Sequence, residues 1–201
     1  MSAPKLARRM RSARPLRTAA AVAAALLATT GLTACGKTHK PGEPVREGLS
    51  TPLAGLDYTV FLTRQLNLKD VEDSGYAPGV KGAAPGHGLF GVFLQACNKG
   101  DKTASAVDLS SFTIVDAQGE KFKPVGLARS NPFAYHGGPV ATENCEPARG
   151  SLAQQGPTSG ALVLFDLPLA ATENRPLDLL IEGPYASGSN TAPHAEVILD
   201  I

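Results

Sequence analysis

The sequence predicts an all-β domain built as an antiparallel β-sandwich. Short apolar stretches with a period of two residues recur along the chain, and turn-forming residues separate them, with 21 Gly and 16 Pro among 201 residues. No stretch after position 35 keeps a helical period for more than two turns. A series of short strands joined by Gly- and Pro-rich turns is typical of two packed antiparallel sheets.

Alternating apolar residues place the individual strands. We predict them at Tyr58–Thr63, Leu89–Ala96, Ser111–Val115, Lys121–Val125, Ala161–Leu167, Leu177–Glu182 and Ala195–Ile201. Leu89–Ala96 carries bulky apolar side chains on both faces, which predicts a central strand. The segment Asp116-Ala117-Gln118-Gly119 predicts a hairpin between the two strands that flank it. Single helical turns are predicted at Val71–Gly75 and Leu169–Asn174.

Residues 1–34 have the layout of a lipoprotein signal peptide. Six basic residues and no acidic one precede an apolar run from Ala19 to Leu32, a stretch shorter than the roughly 20 residues of a membrane span. The run ends in Leu32-Thr33-Ala34-Cys35-Gly36, which resembles the bacterial lipobox. This resemblance implies diacylglycerol on the Cys35 sulfur and cleavage before it. The alternative is an ordinary secretory signal, and the pair Arg8-Arg9 leaves general secretion and twin-arginine export both open.

The chain after the signal is expected to form a lipidated flexible tether and one folded domain. Residues 35–54 lack apolar periodicity and contain several Pro and Gly, so we interpret them as the tether. Residues 55–201 are the predicted sandwich domain. The protein is therefore expected at the cell membrane, lipid-anchored on the extracytoplasmic face.

Removal of the signal peptide changes the charge of the protein. Its six basic residues leave 13 Lys and Arg against 18 Asp and Glu, a net charge of −5 for the mature chain. An acidic surface argues against nucleic-acid binding, which needs a basic face. It also argues against electrostatic adhesion to anionic lipids. The expected membrane contact is therefore made by the acyl chains.

Two cysteines remain after lipidation of the first. Cys97 and Cys145 would both face an oxidising compartment, where their simplest fate is one disulfide. The alternative is a reactive thiol, which requires a nearby base. The immediate neighbours of Cys97, Ala96 and Asn98, supply none.

The order of these motifs resembles a known group of proteins. A strand ending at Asn98, an Asp116-x-x-Gly119 hairpin and the late strand Gly160–Pro168 are similar to bacterial envelope lipoproteins with an immunoglobulin-like domain of unknown function. That group is related in fold to a secreted actinobacterial immunoprotective antigen. The resemblance spans roughly residues 56–183 and implies an immunoglobulin-like sandwich. It implies no activity and no catalytic residues.

We find no catalytic motif in the sequence, and expect neither an enzyme nor a cofactor. The chain lacks a G-x-S-x-G elbow and an H-E-x-x-H motif, and its one S-x-x-K match lies in the signal peptide. Its four histidines are scattered without ligand spacing, so no metal site is expected.

The segment from Gly126 to Gln155 is the candidate binding loop. A long stretch without predicted structure inside a compact domain is often functional. Phe133, Tyr135 and His136 lie within it and offer rigid aromatic area of the kind found at recognition surfaces. The alternative is a plain surface connection whose aromatics cover the sandwich edge.

The function that follows is a non-catalytic binding module on a lipid anchor. Its partner would be an unidentified envelope or extracellular protein or a small ligand. The main alternative is a carrier of a small ligand or metal in the envelope, and a hydrolase of envelope polymers is the third candidate.

Overall fold

The computed structural model describes residues 42–185, 188 and 191–201. In this part of the chain the polypeptide folds into β-strands with two short α-helices and two single 3-10 turns. The strands are Val45–Arg46 (β1), Ser50–Leu53 (β2), Leu56–Leu66 (β3), His87–Cys97 (β4), Ala104–Ala106 (β5), Phe112–Val115 (β6), Lys121–Phe122 (β7), Pro124–Val125 (β8), Gly138–Val140 (β9), Cys145–Glu146 (β10), Ala161–Pro168 (β11), Leu177–Glu182 (β12) and His194–Leu199 (β13). The helices are Val71–Tyr76 (α1) and Leu152–Gln155 (α2), and the 3-10 turns are Leu109–Ser111 and Leu169–Glu173.

Two sheets form the predicted sandwich. The five-stranded sheet has the order β1-β13-β12-β6-β7, and the six-stranded sheet has the order β2-β3-β4-β11-β8, with β10 pairing to the end of β4. A small separate sheet joins β5 to β9. All these pairings are antiparallel except that of β1 with β13, which is parallel. The all-β sandwich prediction is therefore confirmed, with one parallel pair at the edge of a sheet.

The predicted tether was too long. Residues 45–46 pair with β13 and residues 50–53 pair with β3, so the folded body begins near Val45 rather than at residue 55. Val45 and Leu53 are buried at 2% and 4% exposure, and both belong to the main core. Two short strands interrupted by Pro and Gly give almost no alternation of apolar and polar residues. The sequence pattern therefore did not predict them.

The main core lies between the two sheets. Its side chains come from alternate positions of the long strands and include Tyr58, Val60, Val92, Leu94, Phe112, Ile114, Val163, Phe165, Leu179, Ile181 and Val197. Burial of this apolar surface at about 25 cal/mol per Å² is the main stabilising contribution to such a fold. The strictly alternating positions of β12 and β13 all follow the predicted pattern.

A β-bulge in β3 reverses the predicted alternation. Val60 pairs with Leu94 and Leu62 pairs with Phe93, so Phe61 is the extra residue. An extra residue moves every following side chain to the opposite face of the sheet. Leu62 is consequently 39% exposed, whereas Thr63 is buried.

The central strand β4 is buried on both faces, as its sequence predicted. Its inner face contributes to the main core. On its outer face, Leu89 and Phe93 pack in a second cluster with Tyr76 of α1 and Phe133. The Tyr76 ring contacts Phe93 and Phe133 edge to face, with centroid distances of 5.1 and 4.9 Å. The six-stranded sheet therefore has a covering layer of its own on the face away from the main core.

The predicted hairpin is confirmed in its first half only. Strands β6 and β7 pair around Asp116, whose carboxylate accepts hydrogen bonds from the backbone N–H groups of Gln118 and Glu120, both at 2.9 Å. Gly119 adopts a φ of 86°, which the turn requires and which only glycine adopts at no steric cost. After Phe122 the chain crosses to the other sheet, where β8 pairs with β11.

The predicted disulfide joins Cys97 to Cys145. The two residues lie directly opposite each other in the β4–β10 pair, and the bond closes a loop with a sequence separation of 48 residues. Beside it, the buried Asn98 side chain donates to the carbonyls of Lys102 and Val140, both at 2.8 Å. The segment around Cys145 is thus held to the central strand by one covalent bond and by Asn98.

We predict that replacing both Cys97 and Cys145 with Ala lowers the free energy of unfolding by about 4 kcal/mol, because the unfolded chain regains the entropy of an open loop of this length. Urea denaturation of the two proteins measures the difference. The reduced wild-type protein is the matched control and should show the same loss. An unchanged midpoint in the double variant would contradict this account of the bond.

Candidate functional site

The segment predicted to be an irregular loop contains three short regular elements. It contains β9, β10 and α2. Between residues 126 and 135 it leaves β8, crosses the outer face of the six-stranded sheet and returns to β11. There the Tyr135 N–H donates to the Leu162 carbonyl at 3.0 Å, and the Leu162 N–H donates to the Phe133 carbonyl at 2.6 Å. The expectation of a stretch without regular structure is therefore corrected at these three elements, whereas the rest of the segment is irregular.

Asn131 fixes this crossing. Its side chain is buried and donates to the Tyr76 carbonyl at 2.9 Å, while its amide oxygen accepts from the Phe133 N–H at 2.9 Å. These bonds satisfy backbone groups that would otherwise be buried without partners. The crossing segment is thereby attached to the end of α1.

Two of the three predicted binding residues are packing residues. Phe133 is half-buried against Tyr76. Tyr135 is only 4% exposed, packs edge to face on Phe112 at 5.0 Å, and donates from its hydroxyl to the Val107 carbonyl at 2.8 Å. Their rings do not form the open aromatic surface that we expected. His136 is exposed, in agreement with a surface role.

A pair of tyrosines holds the main chain at Val107. The Val107 N–H donates to the Tyr58 hydroxyl at 2.9 Å, and its carbonyl accepts from Tyr135. Burial raises the pKa of the Tyr135 hydroxyl, and the neighbouring Tyr58, Glu146 and Asp108 raise it further. Burial also raises the pKa of Tyr58. Both hydroxyls therefore stay protonated and act as fixed hydrogen-bonding groups.

A cleft of about 450 Å³ opens beside this tyrosine pair. Its lining comes from the β5–β6 connection and from the crossing segment, and comprises Asp108, Leu109, Leu127, Arg129, Tyr135 and His136. We refer to it as the flank cleft. Its volume lies within the range of small-molecule sites. It is larger than the cleft of about 390 Å³ beside the disulfide.

Three polar side chains of the flank cleft are unengaged. Asp108, Arg129 and His136 form no side-chain hydrogen bond or ion pair with any other residue in the described part of the chain. Leu109 and Leu127 are half-buried and add aliphatic surface to the same cleft. A concave site with aliphatic walls and a few free polar groups suits a small amphiphilic ligand.

Glu146 lies close to the flank cleft. Burial raises the pKa of its carboxyl, and the His136 N–H and the charge of His136 oppose that shift. The Glu146 side chain is half-buried. It therefore contributes negative charge near His136 and Tyr135.

Another cleft, of about 390 Å³, borders the disulfide. Its lining includes Cys97, Asn98, Lys99, Cys145 and Arg149. Lys99 is paired with Asp57 at 2.8 Å, and Asn98 is occupied with backbone carbonyls. Glu143 and Asn144 complete its lining, which contains no aliphatic side chain, so this cleft lacks the aliphatic walls of the flank cleft and is the weaker candidate.

The sequence predicted only part of this site. Tyr135 and His136 were predicted as binding residues. Leu127, Arg129 and Glu146 lie in the same predicted segment but were not chosen, and Asp108 and Leu109 lie outside it. These residues come together because the chain crosses between the two sheets. No spacing of residues in the sequence predicts such a contact. Cys35 lies outside the described residues. None of the helices in the described part is long and apolar enough to span a membrane, and no group of three potential metal ligands occurs there.

Comparison with solved structures supports the fold. The yjhA protein from Bacillus subtilis aligns with a TM-score of 0.50 and 12% identity, over 78% of this chain and 99% of that chain. The ycdA protein from Bacillus subtilis, named as a candidate lipoprotein, aligns with a TM-score of 0.45 and 9% identity, over 74% and 38%. An uncharacterised β-sandwich protein from Clostridium difficile aligns with a TM-score of 0.44 and 13% identity, over 82% and 99%.

No protein-family model and no curated protein sequence matches the chain. At such low identity the structural likeness concerns the fold alone, and the yjhA protein is the neighbour that carries it. The expected relation to the secreted antigen stays a prediction.

We predict that Glu146→Gln stabilises the protein at pH 7.5 and has little effect at pH 4. The raised pKa means that the folded state binds more protons than the unfolded state between the usual pKa of Glu and the raised one, so folding stability falls as pH rises through that window. Gln does not titrate and removes that loss. Urea unfolding at several pH values measures the effect.

Glu143→Gln is the matched control, because Glu143 is exposed in the preceding turn. It should leave the pH profile of stability as it is in the wild type. A Glu146→Gln profile parallel to that of the wild type would show that this carboxyl is not destabilised by burial.

Proposed function

We propose that the protein is a lipoprotein anchored through Cys35 to the extracytoplasmic face of the cell membrane, and that its sandwich is a non-catalytic binding module. The signal-peptide layout and the lipobox-like segment before Cys35 support the anchor. The flank cleft is the observation that carries the binding role. It combines three unengaged polar side chains with aliphatic walls on a rigid frame.

The residues around the flank cleft are held in place before a ligand binds, so few of them have to become ordered on binding. Tyr135 is fixed by its ring contact with Phe112 and by its bond to Val107. The disulfide further limits movement of the segment that follows the cleft. Binding at a preorganised site loses less conformational entropy than binding at a mobile loop.

A binding role fits the cleft better than a catalytic one. No acid, base and nucleophile converge in it: His136 has no hydrogen-bonded carboxylate on its ring among the described residues, and no Ser or Cys lines the cleft. Nucleophilic catalysis needs a nucleophile within hydrogen-bond reach of a base that a third group orients. The alternative of an envelope carrier would be favoured by an enclosed cavity, whereas this cleft is open to solvent.

The anchor predicts that the protein leaves the membrane when Cys35 is replaced. We expect the wild-type chain, expressed in a bacterium that lipidates exported proteins, in the membrane fraction with diacylglycerol on Cys35. A Cys35→Ser variant should lose the modification, as measured by mass spectrometry of the N-terminal peptide. Thr38→Ser, three residues later, is the control and should behave as the wild type does.

The same cells test the binding role with a photo-crosslinking amino acid. Placed at His136 it should yield adducts that Arg129→Ala abolishes, whereas the same probe at Gln118, in the β6–β7 turn, should yield none. Unmodified Cys35 in a membrane-bound protein would overturn the anchor. Equal adducts at both probe positions would overturn the assignment of the flank cleft.

A further inference from the structure

The strand directions define which end of the sandwich lies next to the N-terminal segment. Strand β1 runs parallel to β13 and pairs Val45 with Val197, so the chain enters this pair from the side of the start of β13, where Glu182 pairs with His194. The β2–β3 turn at Ala54 and the end of β4 at Cys97 lie at the same end, because Leu53 pairs with Leu56 and Asp57 with Cys97. We call this the proximal end. Helix α1 and the Asp116 turn lie at the opposite, distal end.

The flank cleft lies near the proximal end. Asp108 and Leu109 directly precede β6, whose first residue, Phe112, pairs with Ile181 one residue before the end of β12. Tyr135 is bonded to Val107, and Val107 is bonded to Tyr58, the third residue of β3. At about 3.3 Å per residue, the cleft is within roughly 10 Å of the proximal end along the strands.

The length of the linker limits how far the folded part can lie from an anchor at Cys35. Ten Cα–Cα steps lead from Cys35 to Val45, and they span at most about 35 Å when fully extended. Strand β3 from Leu56 to Leu66 is about 33 Å long, which is roughly the distance between the proximal and distal ends. If Cys35 carries the anchor of the proposed function, on which this inference rests, the flank cleft lies within reach of lipid headgroups.

The free groups of the flank cleft have the chemistry of a zwitterionic headgroup. The Arg129 guanidinium suits a phosphate, which it binds through paired N–H donors. The Asp108 carboxylate would repel that phosphate, but it suits an ammonium group that donates hydrogen bonds. Leu109 and Leu127 offer aliphatic surface for the glycerol and the first methylenes of the acyl chains. His136 adds a second polar group beside the guanidinium.

We propose that the flank cleft binds a phospholipid headgroup that carries both a phosphate and a primary ammonium, a phosphoethanolamine. The net charge of −5 for the mature chain agrees with this choice, because it disfavours anionic lipids and leaves neutral headgroups unaffected. Recognition of a membrane lipid beside the anchor would add a second membrane contact and set the orientation of the sandwich.

The test measures lipid binding to the protein purified from membranes in detergent. Native mass spectrometry compares phosphatidylethanolamine, phosphatidylcholine and phosphatidylglycerol at equal concentrations, and free O-phosphoethanolamine serves as the headgroup without tails. We expect at least tenfold tighter binding of phosphatidylethanolamine than of the other two lipids. Phosphatidylcholine lacks the ammonium hydrogens, and phosphatidylglycerol lacks the ammonium group.

Variants separate the two halves of the headgroup site. Arg129→Ala should weaken binding of phosphatidylethanolamine at least tenfold. Asp108→Asn should remove the preference for phosphatidylethanolamine over phosphatidylglycerol while keeping the affinity for phosphate. Arg149→Ala is the control, because this exposed arginine lines the disulfide cleft instead. All three positions are exposed or unengaged, so thermal unfolding should be unchanged.

Equal binding of the three lipids by the wild type, or unchanged binding in Arg129→Ala, would overturn the proposal. Binding of free O-phosphoethanolamine as tight as that of the lipid would assign the site to a soluble phosphoethanolamine and overturn the membrane source. A protein that is lipidated at Cys35 but shows no headgroup preference would refute this inference alone. Headgroup preference in a protein unmodified at Cys35 would refute the anchor alone.

Discussion

The outer face of the central strand must be covered, and the rest of the architecture follows from that constraint. Strand β4 places Leu89 and Phe93 on this face, where exposure would leave a large apolar patch. Tyr76 lies between Phe93 and Phe133 in two edge-to-face contacts. Each contact contributes about 0.5–1.5 kcal/mol beyond the burial of its area. Arg64, paired with Asp73 at 2.6 Å, lies over the Tyr76 ring at 5.8 Å and closes the layer.

The covering layer also builds the candidate site. After β8 the chain crosses the outer face of the six-stranded sheet, where Phe133 packs. The same crossing places Leu127 and Arg129 in the lining of the flank cleft. The chain then joins the edge of β11 and turns Tyr135 inward, where the hydroxyl meets Val107. His136 follows directly and stays exposed. The cleft is thus the gap between the covering segment and the β5–β6 connection, and both of its walls are fixed by buried groups.

The sequence predicted those features that depend on local alternation or on composition. Strands β4, β11, β12 and β13, the double burial of β4, the β6–β7 turn and the Cys97–Cys145 bond all follow from residue pattern and compartment. The bulge at Phe61 was hidden because alternation cannot show where an extra residue enters. Strands β1 and β2 were missed because they are short. The cleft was missed because Asp108 and Arg129 are 21 positions apart and meet only through tertiary structure. Tyr135 was misread because an aromatic residue in a polar segment has the same sequence signature whether it faces solvent or the core.

Hydrogen exchange in a Phe133→Ala variant tests most directly whether the aromatic cover holds the cleft segment in place. The account predicts that the protection factor of the Tyr135 amide, which is bonded to Leu162, falls at least tenfold. Truncation of the packed Phe133 removes its ring contact with Tyr76 and part of the cover over the sheet. The Leu179 amide in the five-stranded sheet should keep its protection. Val71→Ala, at a side chain that is 88% exposed, should change neither. Unchanged protection at Tyr135, or an equal loss at Tyr135 and Leu179, would contradict the claim that the cover over β4 positions the cleft.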